Sequence, residues 1–240
     1  MRNIVILSVA LFSAVTFMAC SDDAGTDPPG EPDAMVLPPQ PDANPACPEP
    51  TSVLPDAWRP INSVAAGEIM TIEPGVIFLD GTAGGVKAAA ENPYIYVRFD
   101  AEAAKVAITD TDSYSSSDWD IAVKRTVIRA NGGDSGPAGV SVASVPAATL
   151  EEVTMAPETS AFGTDDWVSD DCMYQGGLIG EPLTAFGTWY DYDPATNRPT
   201  PQMLVYVVTR ADGTMVKLQI RTYYYNDMAG GNYEIAWAPL

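Results

Sequence analysis

The chain has 240 residues and no histidine. A serine or cysteine nucleophile activated by an imidazole base is therefore excluded, as is a zinc site built on histidine. Cysteine is scarce too: three residues are too few for a cysteine-rich metal centre. Positive charge is short, with 12 Lys and Arg against 32 Asp and Glu, a formal net charge of -20. Nucleic acid and anionic membrane surfaces are poor partners for such a chain. No internal repeat is present.

What is there begins with an export signal. Arg2 precedes an apolar run, Ile4 to Val15, broken only by Ser8 and Ser13. A membrane span needs about 20 apolar residues, so this run reads as the core of a signal peptide. Phe17-Met18-Ala19-Cys20 closes it like a lipoprotein cleavage site. We read residues 1–19 as signal peptide and Cys20 as the lipidated residue; an ordinary secretory signal is the plainer alternative. Ser21 stands where an aspartate would resemble an inner-membrane retention signal, which favours an outer-membrane anchor by lipid alone. Ser21 to Pro50 holds nine prolines, seven acidic residues and no basic ones. It buries too little apolar surface to offset ordering entropy, so residues 20–50 read as an extended tether. Residues 51–240 remain as one domain of net charge about -14, once the single Arg2 and the seven tether acids are set aside. With Cys20 lipidated, Cys47 and Cys172 are an even pair in an oxidising compartment. A Cys47–Cys172 disulfide and two free thiols both fit the sequence.

Period-two alternation dominates the domain and predicts strands at Tyr94–Phe99, Lys105–Thr109, Leu204–Thr209, Met215–Tyr225 and Tyr233–Trp237. Asp212-Gly213, between two alternating runs, predicts a hairpin. The stretch Asp118 to Gly136 reads as one long strand, Ile121–Ala130, running into a glycine-rich turn. Helical signals are limited to a short alanine run at 84–92 and a turn near 149–155. Residues 165–200 read as long loops with short strand pieces. The fold class is all-β and antiparallel, with long loops and little helix.

Chemistry-bearing clusters are few. Asp110 to Asp118 superficially resembles a calcium loop, but Tyr114 and Ile121 occupy ligand positions, so a polar turn is the better reading. Gly132 to Gly136 lacks the lysine of a phosphate loop. No two carboxylates single themselves out as a glycosidase pair. We read a binding protein and no enzyme. Late aromatics are plentiful; Trp167, Tyr174, Trp189 and Tyr190 are candidates to line a pocket.

Three stretches resemble the HmuY family. Val76-Ile77-Phe78-Leu79-Asp80 with Tyr94 to Phe99 is similar to its opening strands. Trp119-Asp120-Ile121-Ala122, Arg125 and Asn131-Gly132-Gly133 are similar to its central signature. Tyr206-Val207-Val208, Asp212-Gly213, Lys217 to Ile220 and Tyr223-Tyr224 are similar to its closing hairpin. The resemblance covers about residues 76–240. It implies an HmuY-like β fold, an outer-membrane lipoprotein, and capture of haem for a TonB-dependent receptor. Family members hold haem iron between two histidines or, in some relatives, two methionines. Histidine being absent, Met155 and Met173, in the loop-rich region, are the candidate axial ligands, with Tyr174 a rival oxygen donor. Packing in the interior is the plainer role for each methionine. A protein of the same fold that binds another ligand or a partner protein is the alternative function; a carbohydrate-binding module is a third.

Overall fold

The computed structural model describes Cys47, residues 49–177 and residues 180–240. The leader expected at 1–19, Cys20 and most of the tether lie outside the described residues.

The described chain is antiparallel β structure, with one short helix and a few 3-10 turns. Six strands form one sheet: β1 (Ile69–Glu73), β2 (Val76–Asp80), β12 (Asn232–Pro239), β11 (Met215–Thr222), β10 (Leu204–Thr209) and β7 (Ser141–Pro146), in that spatial order. Four form a second: β4 (Ala103–Val106), β3 (Ile95–Phe99), β5 (Ile121–Lys124) and β6 (Val127–Ala130). A separate two-stranded hairpin pairs β8 (Tyr190–Asp193) with β9 (Arg198–Pro201). Alternation explains the layering. Ile77, Leu79, Tyr206, Leu218 and Ile235 of the large sheet share one core with Ile95, Val97, Phe99, Ile121 and Val123 of the small one. The opposite residues form two outer clusters. Val76, Val205, Val207 and Ala236 are covered by Leu150 and Val153, and Tyr94, Tyr96, Trp119 and Ala122 are packed by Trp58.

The closing hairpin forms at the expected place. Met215 pairs with Thr209, and Gly213 takes φ +80 in the connecting loop. The central signature differs from its expectation. Ile121–Ala130 is two strands folded on a two-residue turn, with Lys124 opposite Val127 and Arg125 at φ 51. The polar run Lys124-Arg125-Thr126 marks the reversal, after which the alternation changes parity. Ile121 and Val123 face the core before it, Ile128 and Ala130 after it. The strand expected at Lys105–Thr109 is β4, which ends at Val106; Thr109 instead caps a one-turn helix, α1 (Asp110–Ser113), accepting from the Asp112 N–H. Asp110 is buried and accepts from the Ile61 and Tyr94 N–H groups and the Tyr96 hydroxyl. The polar turn read before Trp119 is thus a helical turn built around a buried carboxylate. Strands β1 and β7 carry no clear alternation, so the sequence pattern does not mark them.

The glycine-rich turn after β6 is a dock for the loop at 165–185. The Asp134 carboxylate accepts from the Trp167 and Val168 N–H groups at 2.7 and 2.8 Å. Asp165 reaches back to accept from the Ala130 N–H, the Ser135 hydroxyl and the Ala185 N–H. Gly133 has φ +60, and a Cβ there would lie 2.0 Å from the Asp165 carbonyl oxygen, so no other residue fits. Cys47 is bonded to Cys172 in the same loop, with a Cα–Cα separation of 5.2 Å. Among the described residues no helix is long and apolar enough to cross a membrane.

Candidate functional site: an aromatic cleft

The turn between β5 and β6 ends at a cleft of about 430 Å³. That is within the ordinary range for small-molecule sites. Six separate stretches of chain line it. Arg125 and Thr126 come from the turn, Tyr223 and Tyr224 from the end of β11, Tyr190, Tyr192, Asn197 and Pro199 from the β8–β9 hairpin, and Ala57 and Trp58 from the N-terminal segment. Val86, Ala89, Ala90 and Glu181 complete it. Five aromatic rings therefore face one largely apolar space.

A second layer of rings fixes the first. Trp189, buried behind the wall, packs edge-on against Tyr190 at 4.9 Å between centroids and against Tyr223 and Tyr233 at 5.7 and 5.5 Å. Its indole N–H donates to the Thr126 carbonyl at 2.7 Å, tying the ring stack to the turn. The Tyr233 hydroxyl donates to the Arg125 carbonyl. Arg125 in turn donates to the Gly230 carbonyl and lies over the Tyr223 ring at 5.8 Å. Arg198 stacks on Tyr224 at 3.8 Å.

The cleft holds one carboxylate. Glu181 accepts from the Thr126 hydroxyl and, at 3.4 Å, from the Tyr190 hydroxyl. Burial pushes the Glu181 carboxyl up from its ordinary value, and both hydrogen bonds oppose that rise. Burial, then the neighbouring Glu181, push Tyr190 up to about 12. The Tyr192 hydroxyl donates to Asn197 at 2.9 Å. The Tyr223 hydroxyl is closed off from solvent and has no hydrogen-bond partner among the described residues. Behind Trp58 lies another such group, the Lys124 ammonium, 5.9 Å from the Trp58 ring and 5.3 Å from Tyr94. Burial brings it down to about 8.

The residues singled out in the sequence fall in different places. Tyr190 lines the cleft and Trp189 braces it from behind. Trp167 is fully buried elsewhere, 5.4 Å from the Arg129 guanidinium, with its indole N–H directed to the Pro50 carbonyl. Tyr174 does not line the cleft; its hydroxyl donates to the Gly180 carbonyl, the same oxygen that receives the Trp58 indole N–H. Met155 and Met173 are 79% and 66% exposed, and neither lines the cleft. Met155 follows Val153 on the outside of the large sheet, while Met173 is held to Ser169 in the disulfide-bonded loop. Cys20 lies outside the described residues. Among the described residues no three His, Cys, Asp or Glu side chains cluster to hold a metal ion. Arg125, Thr126, Trp58 and Glu181 escaped the sequence reading. The polar break in an otherwise apolar alternation at 124–126 is the signal that would have found the first two.

Several solved structures are similar to this chain. A candidate HmuY-like heme binding protein from Bacteroides vulgatus matches at 19% identity and TM-score 0.46, covering 70% of this chain and 95% of its own. A candidate lipoprotein from Bacteroides fragilis matches at 16% and 0.43, covering 70% and 93%. The apo HmuY analog of Tannerella forsythia matches at 14% and 0.43, covering 72% and 96%. None of these likenesses bears on function. A search among curated proteins finds no match. The family model for HmuY protein matches residues 90–237, from the segment before β3 to the last strand, and the chain belongs to the HmuY family.

Proposed function

We propose that the aromatic cleft binds haem, and that the protein is a haem-capture lipoprotein rather than an enzyme. The five rings around an apolar space carry this reading. A porphyrin is a flat aromatic face that needs apolar and aromatic walls, with cations at the edge for its propionates. Trp58, Tyr190, Tyr192, Tyr223 and Tyr224 supply the walls, and Arg125 and Arg198 supply nearby positive charge. That charge matters in a chain of net charge -20, which as a whole disfavours a dianionic ligand. Membership of the HmuY family supports the same reading. Lipid on Cys20 would hold the domain at the outer membrane through the acidic tether, from which haem passes to a TonB-dependent receptor.

Haemin titration tests the reading. The wild-type protein is expected to give a saturable Soret shift at one haem per chain, and Trp58→Ala to weaken it about tenfold, or 1.4 kcal/mol. No Soret shift in either redox state would leave the alternative, a ligand or partner other than haem. The exposure of Met155 and Met173 favours that alternative should the titration fail.

A further inference from the structure

This inference rests on the haem reading and concerns which part of that ligand the cleft grips. A haem can be held by its ring, with the carboxylates at the ring edge, or by the iron at its centre. The cleft is built for the first and carries no donor prepared for the second. We propose that it selects the porphyrin itself, so that iron-free and iron-loaded rings bind alike. The iron then keeps its axial positions for small molecules from solvent.

Each class of iron ligand can be followed through the described residues. Imidazole is absent from the whole sequence. Thioether sulfur is absent from the cleft, because no methionine lines it. Thiolate is absent because Cys47 and Cys172 are joined to each other. The amine of Lys124 is closed off from solvent behind Trp58 and lines no part of the cleft. Nitrogen and sulfur, the usual axial donors to haem iron, are thus excluded.

Oxygen donors remain, and each is committed, protonated or out of reach. Both carboxylate oxygens of Glu181 already receive a hydroxyl, one from Thr126 and one from Tyr190. The Tyr192 hydroxyl donates to the Asn197 side chain. Ferric iron takes a phenolate in preference to a phenol. Burial pushes Tyr190 up to about 12 and raises Tyr224 against the opposing charge of Arg198 and Arg125, so both keep their protons at neutral pH. The Tyr223 hydroxyl is closed off from solvent, and iron in the cleft does not reach it. The ring face meets the opposite situation. The wall rings are already braced by Trp189, so stacking orders little that was free. Stacking draws on the aromatic surface, and Arg125 on the carboxylates; an iron-free porphyrin has both.

Ferric haemin and iron-free protoporphyrin IX, titrated separately into the full chain, test this by quenching of tryptophan fluorescence. We expect the two affinities to agree within about threefold, and Trp58→Ala to weaken both by the same factor. Imidazole added to the haemin complex should bind the iron and shift the Soret band, while the ring stays in place and the quenching persists. Haemin binding at least about tenfold tighter than the iron-free ring overturns the proposal, because the iron would then contribute a bond to the chain. A haemin spectrum that imidazole leaves unchanged overturns it as well, since a residue would already occupy the iron. Wild-type protein that binds neither porphyrin overturns the haem reading itself.

Discussion

Arg125 and Arg129 leave the same β5–β6 hairpin four residues apart and meet opposite surroundings. Arg129 is fully enclosed. Its guanidinium lies 4.7–5.8 Å from the rings of Tyr114, Tyr94, Trp167 and Trp119, and it donates to the Ser135 hydroxyl and carbonyl at 3.0 and 2.9 Å. Arg125 also has aromatic company, but at the wall of an open cleft and on a backbone at φ 51, where glycine is the usual residue. An arginine among rings is thus compatible with two roles. Closure and hydrogen bonds to Ser135 mark the structural one; access and backbone strain mark the one facing a ligand.

Substituting each arginine is the sharpest way to break this contrast. Arg129→Met removes a buried charge on which Ser135 and four rings are organised, and should cost about 3–5 kcal/mol by denaturant unfolding. Arg125→Gly loses one hydrogen bond but relieves the strained φ, so stability should stay within about 1 kcal/mol of wild type. Haemin affinity should nevertheless fall in the Arg125 variant. Equal destabilisation by both substitutions would erase the distinction.

A covalent cut comes next. The N-terminal segment reaches the cleft at Trp58 after passing the closed region. It is pinned by the Cys47–Cys172 bond, the Trp167 indole on Pro50, the Trp58 indole on Gly180, and the mutual backbone and carboxylate bonds between Ile61 and Asp110. Replacing both cysteines with serine should cost about 2–4 kcal/mol, the usual range for a bond closing a long loop. Hydrogen exchange should accelerate first at residues 49–61. Protection unchanged in that segment would mean that the non-covalent bonds suffice to hold the cleft's Trp58 wall.

The sequence made the closed region far more legible than the cleft. Alternation located β3, β10, β11 and β12, because a strand with one buried face must repeat every two residues. The Asn131-Gly132-Gly133 turn was legible from its tolerance of positive φ. The cleft was not, because it is assembled from six segments far apart in the chain, and no local pattern says that they meet. Trp58 reads as one aromatic after a proline-rich stretch, and Glu181 as one more acid among 32 acidic residues. Arg125 was hidden by reading through the turn, since two residues at a tight reversal leave the alternation intact on either side. Position along the chain, which points to Met155 and Met173, carries no information about which loops meet in space.

Acids offer the finest test, since each region contains a buried one. Burial pushes Asp165, in the closed region, up to about 7, against the Ser135 hydroxyl, the Ala185 and Ala130 N–H groups and the charge of Arg129. An unfolded aspartate titrates near 4. Between roughly pH 4 and 7 the folded protein therefore keeps a proton that the unfolded chain has released. Asp165's contribution to stability is full below pH 4 and is lost as pH rises through 7, by up to about 1.4 kcal/mol per pH unit. Asp165→Asn should flatten that part of the curve when unfolding midpoints are measured from pH 4 to 8. Asp110, Asp134 and Glu181 are also raised by burial and slope the same way, so the quantity to read is the difference between wild type and variant. Glu181→Gln, in the cleft, should change the slope less, because its carboxyl borders an open space and has a smaller desolvation to escape. Parallel curves for wild type and Asp165→Asn would mean that Arg129 keeps Asp165 ionised throughout. The closed region would then hold an ion pair in place of a proton.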